Sequence, residues 1–179
     1  MVANATNYLK HLDILIINFL FYMKITQIKV GVLIIEDDKI LLLKEWSNKR
    51  NGFFWNIVKG TYGDVSDESI LDCAIRECKE EAGAGVKLDG IVNCVIETAE
   101  KITVQYNFLA KIISGGLSIA KKSDQLARNE NIKELRWMNK NEISELREDD
   151  FISKRTQKIV KRWLENKAYP LEVLEEVRG

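Results

Sequence analysis

From Lys24 onward, short apolar runs alternate with polar breaks. Ile28 to Ile35 is rich in Val and Ile, the composition of a buried strand. Glu36-Asp37-Asp38-Lys39 is a polar turn and Ile40 to Leu43 runs back, so the pair predicts a hairpin. Residues 45–54 (EWSNKRNGFF) read as a loop, Trp55 to Val58 as a short apolar stretch, and Gly60 to Asp67 as a second loop broken by Gly60 and Gly63. Ser66 or Asp67, with Ser69 beside them, can cap a helix that reaches about Ala82 and stops at Gly83 and Gly85. Gly90 to Thr98 and Ile102 to Ile113 are strand-like runs joined at residues 99–101. Residues 114–131 form a long polar segment, Ile132 to Met138 is a further strand, and Asn139 to Arg147 a short helix. Phe151 to Asn166 is the clearest amphipathic helix, with Ile152, Thr156, Ile159, Val160, Trp163 and Leu164 on one side. Helices interleaved with a largely hairpin-type sheet predict one α/β domain with helices on both faces.

Residues 1–22 stand apart. Ile14 to Met23 is almost continuously apolar, yet shorter than the roughly 20 residues that span a bilayer. No small-residue cleavage site follows it. Three readings stay open: an extra element packed on the domain, a translated upstream stretch with Met23 as the natural start, or a membrane or secretion signal. The direct passage from Met23 into a strand supports the second. The expected organisation is a hydrophobic extension over 1–22, a domain over 23–168 and a short charged tail over 169–179.

The 179 residues suit one domain. With 46% hydrophobic and 30% charged residues the chain is not disordered. Lys+Arg and Asp+Glu are 27 each, so nothing favours general binding to nucleic acid or stable association with acidic membranes. Three cysteines without a CxxC pair argue against a disulfide framework or a zinc site, and suit a cytoplasmic protein. With a single histidine, a bound metal has to be a hard cation held by oxygen, magnesium or manganese.

One segment, Glu68 to Gly83, concentrates acids. On a helix, Glu77, Glu80 and Glu81 fall within an arc of roughly 100°, and Leu71, Ala74, Ile75, Cys78 and Ala82 form an apolar stripe beside them. Three like charges on one turn repel, and Glu80 and Glu81 lie near the helix C-terminus, where the dipole disfavours anions. A solvated acidic face balanced by Arg76 and Lys79 is one explanation; a bound dication is the other.

The order of these residues is similar to the Nudix box. Glu68, seven residues, then Arg76-Glu77-Cys78-Lys79-Glu80-Glu81-Ala82-Gly83 match that motif in register. The fixed positions after Glu68 coincide by chance on the order of once in a million starting points. Gly60 precedes Glu68 by seven intervening residues where the motif has two fewer, so the leading loop is lengthened, and Ala84 is a weak apolar residue at the last position. The hairpin VGVLIIEDDKILLLKE, Trp55, Lys59-Gly60 and the run from Asn129 to Trp137 extend the likeness over roughly residues 24–165.

The resemblance implies a Nudix-like α/β/α sandwich with a mixed central sheet. It implies hydrolysis of a diphosphate linkage in a nucleoside diphosphate derivative or nucleoside triphosphate, with Mg2+ or Mn2+. Glu77, Glu80 and Glu81 are then metal ligands, with Glu130 as a further acid from the late loop and Glu134 behind it. Glu77 orients or deprotonates the attacking water, Arg76 holds Glu77, and Glu68 steadies the loop and helix. Lys59, Gly60, Trp55 and Arg50 are the candidates for binding the nucleotide, although Trp55 also reads as core. A proline that marks ADP-ribose pyrophosphatases past the box is missing, the only proline being Pro170. The alternatives are a catalytically silent nucleotide-binding regulator and an isomerase of isoprenyl diphosphates; the second wants histidines this chain lacks. The oligomeric state is open, a homodimer included.

Overall fold

The computed structural model describes residues 26–99 and 101–177; the expectations for residues 1–22 lie outside the described residues. Seven strands form one mixed sheet: β1 (Thr26–Glu36), β2 (Lys39–Ser47), β3 (Gly52–Asn56), β4 (Val58–Thr61), β5 (Gly85–Thr98), β6 (Ile102–Ser114) and β7 (Ile132–Asn139). The order is β3-β2-β1-β6-β5, with β4 paired to β1 and β7 to β2. β1 runs parallel to β6, and the remaining pairs are antiparallel.

Strand alternation divides the core in two. Val30, Val32 and Ile34 of β1 join Cys73, Ala74, Cys78 and Ala82 of helix α1 (Ile70–Ala82). Leu33 joins Ile159, Val160 and Trp163 of helix α4 (Lys154–Leu164). Each sheet face thus carries a helix, as the pattern predicts. Between them come the short helices α2 (Lys122–Ala127) and α3 (Lys140–Ser144). Among the described residues no helix is long and apolar enough to cross a membrane.

The boundaries differ from expectation in several places. Residues 45–54 are mostly strand: β2 continues to Ser47, β3 begins at Gly52, and Trp46 meets Phe53 edge-to-face at 5.1 Å across the pair. Such aromatic cross-strand contacts close a hairpin that composition alone reads as a loop. Gly85 opens β5 instead of ending the helix; Gly83, with φ of 71°, is the stop. Helix α1 is capped by Ser69, whose hydroxyl accepts from Asp72 N while Asp72 accepts from Ser69 N. Asp67 has φ of 61° and cannot start it. The amphipathic helix begins at Lys154 behind a Ser153 cap, because Phe151 is tied to Trp55 through a parallel bridge. The helix expected from Asn139 shrinks to α3, with Asn139 as its cap. After α4 the chain returns: Tyr169 pairs with Ile91 through two backbone bonds of 2.8 and 2.9 Å, and Leu171 and Leu174 pack on the first core.

The polar segment 114–131 matters most for the site. Gln125 of α2 is buried, donates to Ala120 O (2.9 Å) and accepts from Ile132 N (2.6 Å), and Glu130 N bonds Gln125 O (2.8 Å). One buried residue therefore fixes the approach to β7 with its side-chain amide and the place of Glu130 with its backbone carbonyl.

Candidate functional site

β1 pairs with β2 only at Ile35 and Glu36, then continues against β4 from Val32 back to Lys29. Where β2 and β4 part, a cavity of about 450 Å³ opens. β1 supplies Lys29, β2 Glu45, β4 Lys59 to Thr61, the following loop Asp64 and Val65, α1 Arg76, Glu77, Glu80 and Glu81, and the segment before β7 Ala127 to Glu130.

Helix α1 presents its acids differently from the expected pair of adjoining stripes. Glu77 and Glu81 lie on the packed side with Cys73, Ala74 and Cys78, whereas Ile75 faces solvent. Glu77 and Glu81 are 5% and 1% exposed. They are turned toward the cavity rather than sealed in the apolar core, because Gly60 leaves room: a Cβ there would overlap the Glu77 carboxyl. Oxygens of Glu77, Glu81 and Glu130 lie within 4.8 Å of one another.

The surrounding cations hold this cluster. Arg76 donates to both oxygens of Glu68 at 3.0 Å, to Glu77 Oε1 at 2.7 Å and to Glu80 Oε2 at 3.1 Å. Lys59 gives its backbone N–H to Glu81 Oε2 (3.0 Å) and places its ammonium 3.8 Å from Glu81 Oε1 and 3.0 Å from Glu45 Oε1. Arg128 pairs with Glu130 at 3.0 Å and also reaches Glu80 O at 3.2 Å. Glu45 in turn accepts from Asn56 (2.6 Å), whose Oδ1 accepts from Thr156 of α4 (2.8 Å). A continuous polar chain thus joins α4 to Glu81 through the middle of the domain.

Burial lifts the Glu77 carboxyl to about 7 against the pull of Arg76, with Glu80 and Glu130 adding to the rise. It lifts Glu81 to about 8 against the Lys59 charge, and raises Glu130. Burial works to lower the Lys59 amine, but Glu81 and Glu45 outweigh it and the value rises. Burial thus disfavours the charged form of these acids, and desolvated carboxylates in that position gain most from a further cation. Three convergent carboxylates, with no histidine or cysteine among them, fit a hard divalent ion by donor chemistry. The thiols play no part: burial pushes Cys73 to about 12 and raises Cys78 as well.

Of the residues expected to act, Glu68, Arg76, Glu77, Glu81, Glu130, Lys59 and Gly60 are brought together here. Glu80 is at the rim, its carboxylate held by Arg76 and outside the close group of three. Arg50 and Trp55 are placed elsewhere. Arg50 donates to the carbonyls of Phe151 (2.5 Å) and Asp149 (2.8 Å) and stacks on Phe54, while Trp55 is 6% exposed in the second core. Glu134 stands opposite Lys44 on β7. Glu45, Arg128 and Lys29 belong to the site without having been singled out. A charged residue inside an apolar strand run was the available signal for Lys29 and Glu45; nothing marked Arg128.

The family profile described as NUDIX domain matches residues 25–159. Among solved structures the chain is similar to a NUDIX hydrolase from Nitrosomonas europaea (19% identity, TM-score 0.70, covering 86% of this chain and 98% of that one). It is similar to the MutT protein from Methanosarcina mazei Go1 (22%, 0.61, 80% and 97%). An ADP-ribose pyrophosphatase from Streptococcus suis also resembles it (20%, 0.55, 78% and 90%). These likenesses concern the fold. No curated protein matches the chain.

Proposed function

The chain belongs to the NUDIX family of pyrophosphohydrolases, and from that premise we propose that it uses Mg2+ or Mn2+ to hydrolyse a diphosphate linkage in a nucleoside diphosphate derivative or nucleoside triphosphate. The observation that carries this reading is the convergence of Glu77, Glu81 and Glu130 within 4.8 Å at the wall of an open cavity.

In this reading Glu77, Glu81 and Glu130 hold the ion, and Glu80 adds its charge from the rim. A divalent ion there supplies charge neutralisation at the diphosphate and activation of water. The rest is done by side chains. Arg76 fixes the rotamer of Glu77 through a charge-assisted bond of 2.7 Å while anchoring Glu68. Glu77 orients the attacking water and takes its proton. Lys59 fixes Glu81 from two directions, by its amide and its ammonium. Three free thiols, Cys73, Cys78 and Cys94, support a reducing compartment such as the cytosol.

The test is a panel of nucleoside triphosphates, dinucleoside polyphosphates, nucleotide sugars and capped RNA, each assayed with magnesium and with manganese. Release of a nucleoside monophosphate or of pyrophosphate, lost in Glu81→Gln, supports the proposal. Ion binding without turnover on any compound would instead favour a silent regulator.

A further inference from the structure

Four side-chain cations line the cavity, and three are engaged by acids: Lys59 by Glu45 and Glu81, Arg76 by Glu68, Glu77 and Glu80, Arg128 by Glu130. Lys29 differs. Among the described residues no carboxylate lies within ion-pair distance of its ammonium, which donates instead to the Thr61 hydroxyl at 3.3 Å. Lys29 of β1 and Thr61 of β4 are direct partners across the antiparallel pair, so backbone register fixes them side by side. The ammonium is half-buried, and the strongest charges acting on it are the positive Lys59, Arg155 and Lys101, with Asp64 opposing them more weakly. A desolvated cation among cations, beside a hydroxyl that is free to turn its proton, lacks an anion.

We propose that Lys29 and Thr61 together seat a phosphate group of the substrate, next to the group held through Glu77, Glu81 and Glu130. The seat rests on the pyrophosphohydrolase reading of the cavity and adds to it a residue pair that positions the diphosphate from the strand side. The ammonium contributes charge, and the hydroxyl contributes a second donor whose place the β1–β4 register sets. Both groups act on binding and orientation, so their loss falls on KM far more than on kcat.

Inorganic pyrophosphate in the presence of magnesium is the probe, titrated calorimetrically into wild type, Lys29→Met, Lys29→Arg and Thr61→Val. Removing a charge-assisted contact in Lys29→Met is expected to weaken binding about tenfold, and losing a neutral donor in Thr61→Val about fivefold. Lys29→Arg keeps the charge and stays within about threefold of wild type. With a turned-over nucleotide, KM rises in parallel and kcat changes little. Wild-type binding in Lys29→Met overturns the seat, as does failure of the wild type to bind pyrophosphate. Should Lys29→Met lack a cooperative melt, Thr61→Val decides, and unchanged binding there overturns the proposal. A wild type that turns over nucleotides while Lys29→Met is unaltered sinks only this seat; absence of turnover on the whole panel sinks the reading beneath it.

Discussion

Gly60 and the Glu77 carboxyl occupy adjoining space so closely that no side chain fits between them. A strand residue without a Cβ is what allows an acid of α1 to stand over β4 and face the cavity. Gly60→Ala is therefore expected to push Glu77 aside. Overpacking of this kind costs about 1–3 kcal/mol in stability. Displacing a catalytic carboxylate by an ångström costs on the order of a hundredfold in kcat/KM. Urea unfolding and steady-state kinetics on the same preparation check both. Normal activity in Gly60→Ala would show that Glu77 does not act from this position.

Arg76 is the single cation shared by Glu68, Glu77 and Glu80. Its removal leaves the buried side-chain carboxylates of Glu68 and Glu77 without their partner. Breaking such a pair is expected to cost about 3 kcal/mol or more. Lys in its place offers a point charge for one acid, not the fork that reaches three, so Arg76→Lys is expected to recover part of the stability and little of the activity. Thermal melts of both variants, compared with their kcat, test this.

Burial raises Glu81 from 4.5 to about 8 and Glu77 from 4.5 to about 7. Between those limits the folded chain keeps protons that the unfolded chain releases. Stability from these groups is thus present below the ordinary carboxyl value and is lost as pH rises through the folded values. Without metal, the melting temperature of the wild type should fall between about pH 5 and pH 8. In Glu81→Gln, which has no proton to lose there, the fall is expected to be shallower. Identical pH slopes would contradict the assignment.

Much of the site is legible in the sequence, and the limits have physical causes. The acids of α1 were legible because helical spacing is local: Glu77, Glu80 and Glu81 are placed by the 3.6-residue turn alone. Which of them turns inward was not, since Gly60 and the sheet decide the helix rotation, and this left Ile75 exposed where a core residue was expected. Trp55 lies on β3, where one residue's shift changes the face a side chain takes; pairing of β3 with β2 sends Trp55 into the second core, while Arg50, in the turn before β3, is held by the carbonyls of Phe151 and Asp149. Glu45, Lys29 and Arg128 reach the cavity from three distant stretches of chain, brought together by strand register for the first two and by the turn that ends α2 for the third. The two glycines after α1 look alike in sequence; the left-handed turn at Gly83 and the strand pairing of Gly85 with Ser114 separate them.

Chelation of divalent ions is expected to abolish turnover and to leave the fold intact, because the cores on either side of the sheet do not depend on the acid cluster. Adding magnesium back should raise the melting temperature by mass action on the folded state. The rise should grow with pH, as the buried carboxyls lose to solvent the protons that compete with the ion. Melts with and without chelator at several pH values provide the check.

The proposed chemistry requires that Glu77, Glu81 and Glu130 together bind a divalent ion. Electron paramagnetic resonance of Mn2+ titrated into the protein tests it directly. The wild type is expected to remove the free-ion signal stoichiometrically, and the double variant Glu77→Gln/Glu81→Gln to weaken that binding by at least about a hundredfold. An undiminished free-ion signal with the wild type, or equal binding by the double variant, would show that these three acids do not form the ion site.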